Sequence, residues 1–353
     1  RGTQKQPQHH IDPRLKLIDV SYRREGSGLY ISVIIGADIS VYGTAQAEYL
    51  SDGEGIVAKK NPQAIVKTVC VSGEAETDDE FETDYIGDIL MHSENVCVSY
   101  VGAEAGQISV SGEISLNICA LKSDLSLCSY ERLIPFRLEI PCDESMPKLP
   151  ASAKVHVKSA VLTAGTDEEK GKCKIDAEFI LSADCELYIR DELPACEDVF
   201  SPECEITYKK DAKKCRYVAD ILRFTERVSG SASLSVPIDY SSALQAAVLP
   251  RAEISCKRGE NGGEAEGAVF ADVILCDPDG VHRSAELSLP FLFPVKFEEG
   301  YIAEAEATVC GLSVRQRREG EAEAEATLKV TLKLYKETTA EYISEIEEGE
   351  AYK

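Results

Sequence analysis

The side chains best suited to acid–base or metal chemistry are the five histidines of the chain. His9 and His10 are adjacent, and neighbouring imidazoles can hold a metal ion, but they lie in a polar N-terminal segment without helix or strand periodicity. His92, His156 and His282 have no candidate partner close by in the sequence. We therefore predict no catalytic or metal-binding histidine, although a Ser/His/Asp triad, which assembles only in space, stays open.

Two acidic runs, Glu76–Glu80 and Glu345–Glu350, offer carboxylates that calcium could use. A calcium loop needs oxygen ligands at alternate positions around a glycine turn, and neither run has that spacing. We favour a solvated loop or a strand edge, where charges discourage pairing with other molecules.

Motifs of the common enzyme classes are missing from the sequence, which has no G-x-S-x-G, no H-E-x-x-H, no P-loop and no dinucleotide-binding fingerprint. We accordingly predict a protein that is not an enzyme. The predicted sets of catalytic, cofactor-binding and metal-binding residues are empty, and no cofactor is expected.

The chain contains 13 cysteines, none of them spaced C-x-x-C, which argues against zinc ribbons and thioredoxin-like sites. Most lie among aliphatic residues in strand-like runs, where a free thiol packs as a small hydrophobe. This pattern favours reduced cysteines and an intracellular protein. The alternative is a secreted protein with a disulfide framework.

Charge and length limit the function classes. The 353 residues are enough for two or three domains with sizeable cores. Acidic residues number 62 against 38 basic ones, a net charge of −24 that disfavours nucleic acids and anionic membrane surfaces. No apolar run approaches the roughly 20 residues that span a bilayer, so we predict no membrane insertion. The first residue is Arg1 rather than Met, so we expect a fragment.

The elements that must position any site recur along the chain. The segment from Gly112 aligns with the segment from Gly267 at an offset of 155 residues, and Pro135–Phe136 then meets Pro290–Phe291. Cysteines exchange with aliphatic residues in these alignments, which favours packing over a metal or disulfide role. The exchanged cysteines are Cys119, Cys185 and Cys276.

A second segment, Ile34–Tyr42, aligns with Ile180–Tyr188 at an offset of 146 residues, and a weaker third copy aligns Glu325 with Ala177. Asp38 and Asp184 occupy equivalent positions in an apolar setting. We predict a structural role for them, such as capping or edge protection, in preference to a ligand role.

These alignments define a period of about 150 residues with three blocks, B, C and A. The order is B (16–50), C (51–95), A (96–147), B (148–192), C (193–247), A (248–300) and B (301–353). The predicted domains are a disordered tail (1–15), an incomplete first repeat (16–95), a second repeat (96–247) and a third repeat (248–353).

Alternation of apolar and polar residues predicts strands. In Glu321–Leu334 the apolar residues fall on one face of a strand, whereas a helix would scatter them, even though Ala, Glu and Lys favour helices. The same argument covers Leu29–Tyr42 and Lys174–Ile189. Helix is predicted to be scarce, with short turns at most in Tyr85–His92 and Ser241–Val248.

Turn-forming residues separate the strands. The predicted links are Arg23–Gly28, Lys122–Leu125, Thr163–Gly171, Asp277–Gly280 and Gln316–Gly320. Many strands with short polar turns and one apolar face each predict an all-β fold. We expect tandem antiparallel β-sandwiches or barrel-like repeats.

The order of these elements resembles a known family. Alternating strands end in [IL]-P-F, and Asp198–Glu205 reads D-V-F-S-P-E-C-E. This combination is similar to the SPOCS domain family, whose units occur in tandem in spore-forming Gram-positive bacteria. The first copy of the motif, Tyr49–Asp52, lacks the proline, and the Pro-Gly-rich turn of the family is replaced here.

The resemblance implies a non-enzymatic scaffold of endospore coat or cortex assembly. The implied location is the mother-cell cytoplasm, at the forespore surface or in the spore coat. The implied partners are other coat or morphogenetic proteins, with peptidoglycan contact only through a LysM-type module that this sequence lacks. The alternative is a carbohydrate-binding β-sandwich of the cell wall or exterior, disfavoured because the chain has no Trp and 7% aromatic residues.

Overall fold

The computed structural model describes residues 9–43, 48–84, 86–122, 126–167, 171–235, 243–259, 262–316 and 322–351. This described part consists of strands and turns, and it contains no helix that could span a membrane. The strands are β1 (His9–Glu25), β2 (Gly28–Gly43), β3 (Val57–Lys60), β4 (Gln63–Asp84), β5 (Asp88–Glu104), β6 (Gln107–Leu121), β7 (Leu127–Pro141), β8 (Ala151–Asp167), β9 (Lys172–Leu193), β10 (Cys196–Phe200), β11 (Cys204–Leu234), β12 (Ala243–Gly259), β13 (Gly262–Cys276), β14 (His282–Val295), β15 (Ile302–Gln316) and β16 (Ala322–Ala351).

The prediction of an all-β fold with antiparallel sheets is confirmed. The prediction of short turns is wrong for both segments, because Asp88–His92 belongs to β5 and Ala243–Val248 belongs to β12. Ile86 and Gly87 directly precede β5, whereas Tyr85 and residues 241–242 lie outside the described residues. The predicted disordered tail ends early, since β1 begins at His9 and pairs with Gly43.

The chain divides into two compact units. The larger comprises Gln63–Leu193 and Lys213–Ala340, and the smaller comprises Arg1–Pro62, Pro194–Ala212 and Glu341–Lys353. Strands β11 and β16 each have one segment in the larger unit and one segment in the smaller unit.

The first sandwich of the larger unit is formed by the sheets β4-β9-β8 and β5-β6-β7. Alternate residues of β9 fill its core, because successive side chains of a strand point to opposite faces. Ile175, Ala177, Phe179 and Leu181 are exposed by no more than 2%. The strand predicted over Lys174–Ile189 and its buried face are therefore confirmed.

The second sandwich of the larger unit is built from a single six-stranded sheet. Its neighbouring strands follow the order β12-β13-β14-β11-β16-β15. The core side chains of β16 are exposed by no more than 3%; they are Ala322, Ala324, Ala326, Leu328, Val330, Leu332 and Leu334. The alternating pattern therefore overrides the helix propensity of Ala, Glu and Lys, as predicted.

The three-stranded arrangements β5-β6-β7 and β12-β13-β14 have the same register. Gly112 lies opposite Phe136 and Gly267 lies opposite Phe291, which matches the offset of 155 residues. The following turns also match, since Lys122 N donates to Ser126 O and Asp277 N donates to Val281 O. A side chain at either glycine would meet the backbone of the neighbouring strand, so both positions require glycine.

The three B hairpins share one β-bulge. The bulge precedes Asp19 in β1, Ser159 in β8 and Gly311 in β15, and these residues lie opposite Ile34, Ile180 and Thr327. The offset of 146 residues from Ile34 to Ile180 agrees with the sequence alignment.

The third copy of the hairpin corrects one alignment. The bulge makes Thr327 the equivalent of Ile180, so the offset is 147 residues and Ala324, not Glu325, corresponds to Ala177. The predicted alignment was wrong by one residue, which would move every side chain to the opposite face of the strand. The burial agrees, because Ala177 and Ala324 are each exposed by 1%.

The smaller unit has a separate core. Cys196, Val199 and Ile343 are buried there, and partly buried residues pack around them. Strand β3 pairs with β10, and Leu50 N donates to Ile343 O at 2.9 Å. Segments far apart in the sequence therefore meet in this core.

Candidate functional site

The histidines do not form a site in the described part of the chain. His92 Nδ1 contacts the Glu94 carboxylate, His156 lies in β8, and His282 begins β14. The side chains of His9 and His10 lie outside the described residues. No group of three or more metal-ligating side chains occurs among the described residues.

The acidic runs lie within strands and not in loops. In the run Glu76–Glu80, Arg132 Nε donates to Asp79 at 2.7 Å, which ties β7 to β4. In the run Glu345–Glu350, Lys209 Nζ lies 3.8 Å from Glu345. Asp184 is exposed on β9, the central strand of its sheet, so the predicted edge protection is wrong for this residue. The side chain of Asp38 lies outside the described residues.

The cysteines divide into one disulfide and eleven free thiols. Cys119, Cys185 and Cys276, the cysteines that exchange with aliphatic residues between repeats, are all free, in agreement with a packing role. The prediction of reduced cysteines throughout is wrong for Cys97 and Cys310, which are bonded across a sequence separation of 213 residues.

The disulfide marks the junction between the two sandwiches of the larger unit. Cys97 lies in β5 of the first sandwich and Cys310 lies in β15 of the second. Cys310 is the extra residue of the shared bulge, and a bulge redirects side chains at its position. The bulge thereby presents the Cys310 thiol to Cys97.

Apolar and polar contacts also join the two sandwiches. Cys119, Ala246 and Val248 form a buried cluster, against which Met91, Leu127 and Ile274 pack. The Asn95 side chain donates to Pro250 O at 2.8 Å and to Val309 O at 3.1 Å. The Asn95 amide thus satisfies two backbone carbonyls of the second sandwich at once.

A partly buried charge cluster also lies at the junction. Lys333 Nζ of β16 lies 3.0 Å from the Glu186 carboxylate of β9, and both side chains are at most 21% exposed. The hydroxyl of Ser152 donates to Glu186 at 3.0 Å, and the hydroxyl of Tyr188 also donates to it. Arg223, from β11, donates to Ala151 O at 2.8 Å.

The charges of this cluster stabilise one another. Burial alone raises the pKa of Glu186, but the Lys333 charge and the three hydrogen bonds outweigh burial and lower this pKa to about 2. Burial, followed by the Glu186 charge, raises the pKa of Tyr188 well above its ordinary value. The carboxylate is therefore ionised and the phenol neutral at neutral pH.

The cluster contains a serine, a tyrosine and a lysine, which are residues that catalyse reactions in some enzymes. Here Ser152 is 5% exposed and Tyr188 is 4% exposed. The hydroxyl of Ser152 donates to the Glu186 carboxylate, whose lowered pKa makes it a weak base for activating a nucleophile. The geometry holds a charge pair between two sheets.

Sequence reasoning missed this cluster because Glu186 and Tyr188 occupy the polar face of β9. That face is covered by the second sandwich, which periodicity does not reveal. The available signal was Tyr188, an aromatic residue on a face that carries mostly charged and polar residues.

The motif Asp198–Glu205 forms the connection from β10 to β11 in the smaller unit. Tyr208 donates its hydroxyl hydrogen to Asp198 at 2.8 Å, and this bond lowers the pKa of the carboxyl group. Ser201 is buried and accepts a hydrogen bond from Glu203 N at 3.1 Å. The motif thus folds on itself beside a depression of about 280 Å³ that includes Ser201, Glu203 and Cys204.

Comparisons with protein-family models, with curated proteins and with solved structures found no match. The resemblance to the SPOCS domain family therefore stays a prediction from the motif and from the order of the strands.

Proposed function

We propose that this protein is a non-enzymatic scaffold of endospore coat or cortex assembly that acts through protein–protein contacts. The observation that carries the proposal is the junction of the larger unit. A disulfide, a partly buried ion pair and an apolar cluster join the two sandwiches there. Such a body presents surfaces at fixed distances, which is what a scaffold requires.

Strand-rich repeats also suit contacts with other proteins. An exposed sheet edge can accept a further strand through main-chain hydrogen bonds, and pockets for alternate side chains give specificity. The link to sporulation rests on the resemblance of Asp198–Glu205 and of the strand order to the SPOCS domain family. The proposed partners are accordingly other coat or morphogenetic proteins.

The proposed location is the forespore surface or the spore coat, reached from the mother-cell cytoplasm. The Cys97–Cys310 disulfide favours the coat, since disulfides persist in oxidising surroundings and are rare in the cytosol. The eleven free thiols are compatible with synthesis in the cytoplasm.

The experiment is a chromosomal fluorescent fusion, combined with deletion of the gene, in the organism that encodes this chain. We expect a shell of fluorescence around the forespore, and deletion to give spores with a defective coat or cortex. Diffuse fluorescence throughout sporulation, together with normal spores after deletion, would contradict the proposal.

A further inference from the structure

The Cys97–Cys310 disulfide joins two bodies that have separate cores. The core of the first sandwich takes its buried residues from Ile86 to Leu187, and the core of the second takes them from Val228 to Leu334. Among the described residues, none belongs to both cores. Each sandwich therefore buries its own apolar side chains without the disulfide. The bond fixes the contact between the sandwiches and not the fold of either one.

Hydrogen bonds beside the two cysteines hold the sandwiches together independently of the sulfur–sulfur bond. Asn95 lies two residues before Cys97, and its side-chain amide donates to Val309 O at 3.1 Å. Val309 directly precedes Cys310. The same amide donates to Pro250 O at 2.8 Å, so one side chain of the first sandwich holds two segments of the second.

A second hydrogen bond acts on the other side of Cys310. The Glu131 carboxylate of β7 accepts a hydrogen bond from the backbone N–H of Leu312, two residues after Cys310. Together with the Asn95 amide, this contact holds the bulge of β15 against the first sandwich. The two cysteines therefore lie side by side in the docked protein even when they are reduced, and such proximity favours their reaction over that of other cysteine pairs.

Both cysteines are shielded from solvent. Cys97 is 0% exposed and Cys310 is 5% exposed. Thiol–disulfide exchange requires a thiolate to attack a sulfur atom, so its rate depends on access to that atom. A small thiol or disulfide therefore reaches these cysteines only when the sandwiches separate locally. Exchange at this bond is thus coupled to opening of the junction.

We propose that Cys97 and Cys310 form a redox switch of the junction, which low-molecular-weight thiols and disulfides operate only while the two sandwiches are transiently separated. To close the switch, one cysteine thiolate attacks a low-molecular-weight disulfide and releases one thiol. The other cysteine thiolate then attacks the mixed disulfide and releases the second thiol. The reagent's sulfur–sulfur bond breaks, the Cys97–Cys310 bond forms, and the two cysteine protons end on the released thiols. Opening is the reverse reaction.

The switch deepens the scaffold proposal, on which it rests for its biological role. The reduced sandwiches can separate and dock again, whereas the disulfide holds them at one distance. Reducing surroundings such as the cytosol favour the reduced state, and oxidising surroundings favour the closed state. A test on the purified chain keeps the two proposals apart, because the scaffold proposal depends on where the protein lies in the sporulating cell.

The experiment measures reduction of the purified, oxidised full chain by dithiothreitol. Samples are quenched and alkylated, and mass spectrometry gives the reduced fraction of Cys97 and Cys310. We expect reduction to be about a hundredfold slower than in the urea-unfolded chain, because the bond must first become accessible. Hydrogen exchange during the reaction should leave β9 and β16 protected, since the junction opens while both cores stay folded.

Asn95→Ala tests the coupling between exchange and docking. The variant loses both hydrogen bonds to the second sandwich, so the junction should open more often and reduction should be about tenfold faster. Gln107→Ala is the matched control, because the Gln107 amide donates to Glu104 within the hairpin β5–β6. That contact does not cross the junction, so we expect a change of less than about twofold. Thermal melts confirm that both variants fold.

Reoxidation tests the selectivity of the switch. The fully reduced, folded chain is treated with glutathione disulfide, and peptide mapping identifies the bonds that form. We expect Cys97–Cys310 to be the main bond between protein cysteines, with the other eleven left unpaired with one another. The exposed thiol of Cys70 should carry only glutathione.

Several outcomes overturn the proposal. They are reduction as fast as in the unfolded chain, reduction only when β9 and β16 lose protection, equal rates for Asn95→Ala and the wild type, and reoxidation that joins other pairs as often as Cys97 and Cys310. If any of these results accompanied a normal shell of fluorescence around the forespore, the switch would be refuted and the scaffold proposal would stand.

Discussion

Glu186 is the charged residue that we expect to contribute most to the stability of the junction. It is nearly buried, its carboxylate accepts three hydrogen bonds, and one of the donors is Lys333. Removing one partner of such a pair leaves the other charge poorly solvated, which costs more than the pair itself contributes.

Glu186→Gln should lower the free energy of unfolding by about 2–3 kcal/mol at pH 7, because Lys333 loses its counter-charge. The matched control is Glu306→Gln, since Glu306 lies 3.8 Å from Lys154 and both side chains are 45% exposed. We expect a loss within about 0.5 kcal/mol there. Urea unfolding measures both, and equal losses would contradict a special role of Glu186.

The same residue predicts a pH dependence. The pKa of Glu186 falls from 4.5 to about 2 in the folded protein, so its contribution is fully present well above pH 4.5 and is lost as the pH falls towards 2. In urea titrations over this range, the wild type should lose its advantage over Glu186→Gln. A constant difference between them down to pH 2 would show that the carboxylate is not held by its charge.

At the scale of elements, the paired glycine and phenylalanine define each three-stranded sheet. A Cβ atom on Gly112 would lie 2.2 Å from Cys97 O and 2.9 Å from Phe136 Cζ. On Gly267 it would lie 2.0 Å from Glu253 O and 2.7 Å from Phe291 Cζ. The obstacle is a backbone carbonyl in both cases, which a rotamer change cannot remove.

Gly112→Ala and Gly267→Ala should each lower the free energy of unfolding by about 2–3 kcal/mol, since the strands must separate. Gly165→Ala is the matched control in another strand, because its Cβ would meet nothing closer than 3.9 Å. We expect no loss from that change. Chemical denaturation gives the three values, and a neutral Gly112→Ala would contradict the shared architecture.

The strands and their buried faces could be predicted because periodicity is a local property of the sequence. Ala322 to Leu334 shows this, since seven alternating apolar residues specify a strand against helix propensity. The order of strands in the sheets could not be predicted. Strand β4 pairs with β9, about a hundred residues later, and alternation alone does not specify a partner.

The junction was hidden from the sequence for two reasons. Glu186 and Tyr188 lie on the strand face that the alternating pattern predicts to be exposed to solvent. The Cys310 thiol reaches Cys97 because of a β-bulge, and the sequence pattern does not predict that bulge. The solvent-exposed apolar face of the hairpin β1–β2 was missed for the opposite reason. Its residues alternate in the same way as those of the covered hairpins, so the sequence predicts that all three are buried.

At the scale of the whole molecule, the disulfide closes a loop across a sequence separation of 213 residues. Cys97→Ser with Cys310→Ser should lower the free energy of unfolding by about 3–5 kcal/mol, because the unfolded chain gains entropy. Cys70→Ser is the control, since Cys70 is free and exposed. Calorimetry under non-reducing conditions measures the change, and equal melting temperatures for the double variant and the wild type would contradict the role given to the junction.

The three B hairpins have the same bulge and register, but the apolar face is exposed in β1–β2 and buried in β8–β9 and β15–β16. Hydrogen–deuterium exchange of the purified chain, followed by mass spectrometry, tests it directly. Residues 28–43 of β2 should exchange about a hundredfold faster than residues 172–187 of β9 and 322–334 of β16, because in the described structure β2 pairs with β1 alone and its apolar side chains are exposed. Equal protection of the three segments would show that the β2 face is already covered and would contradict the account.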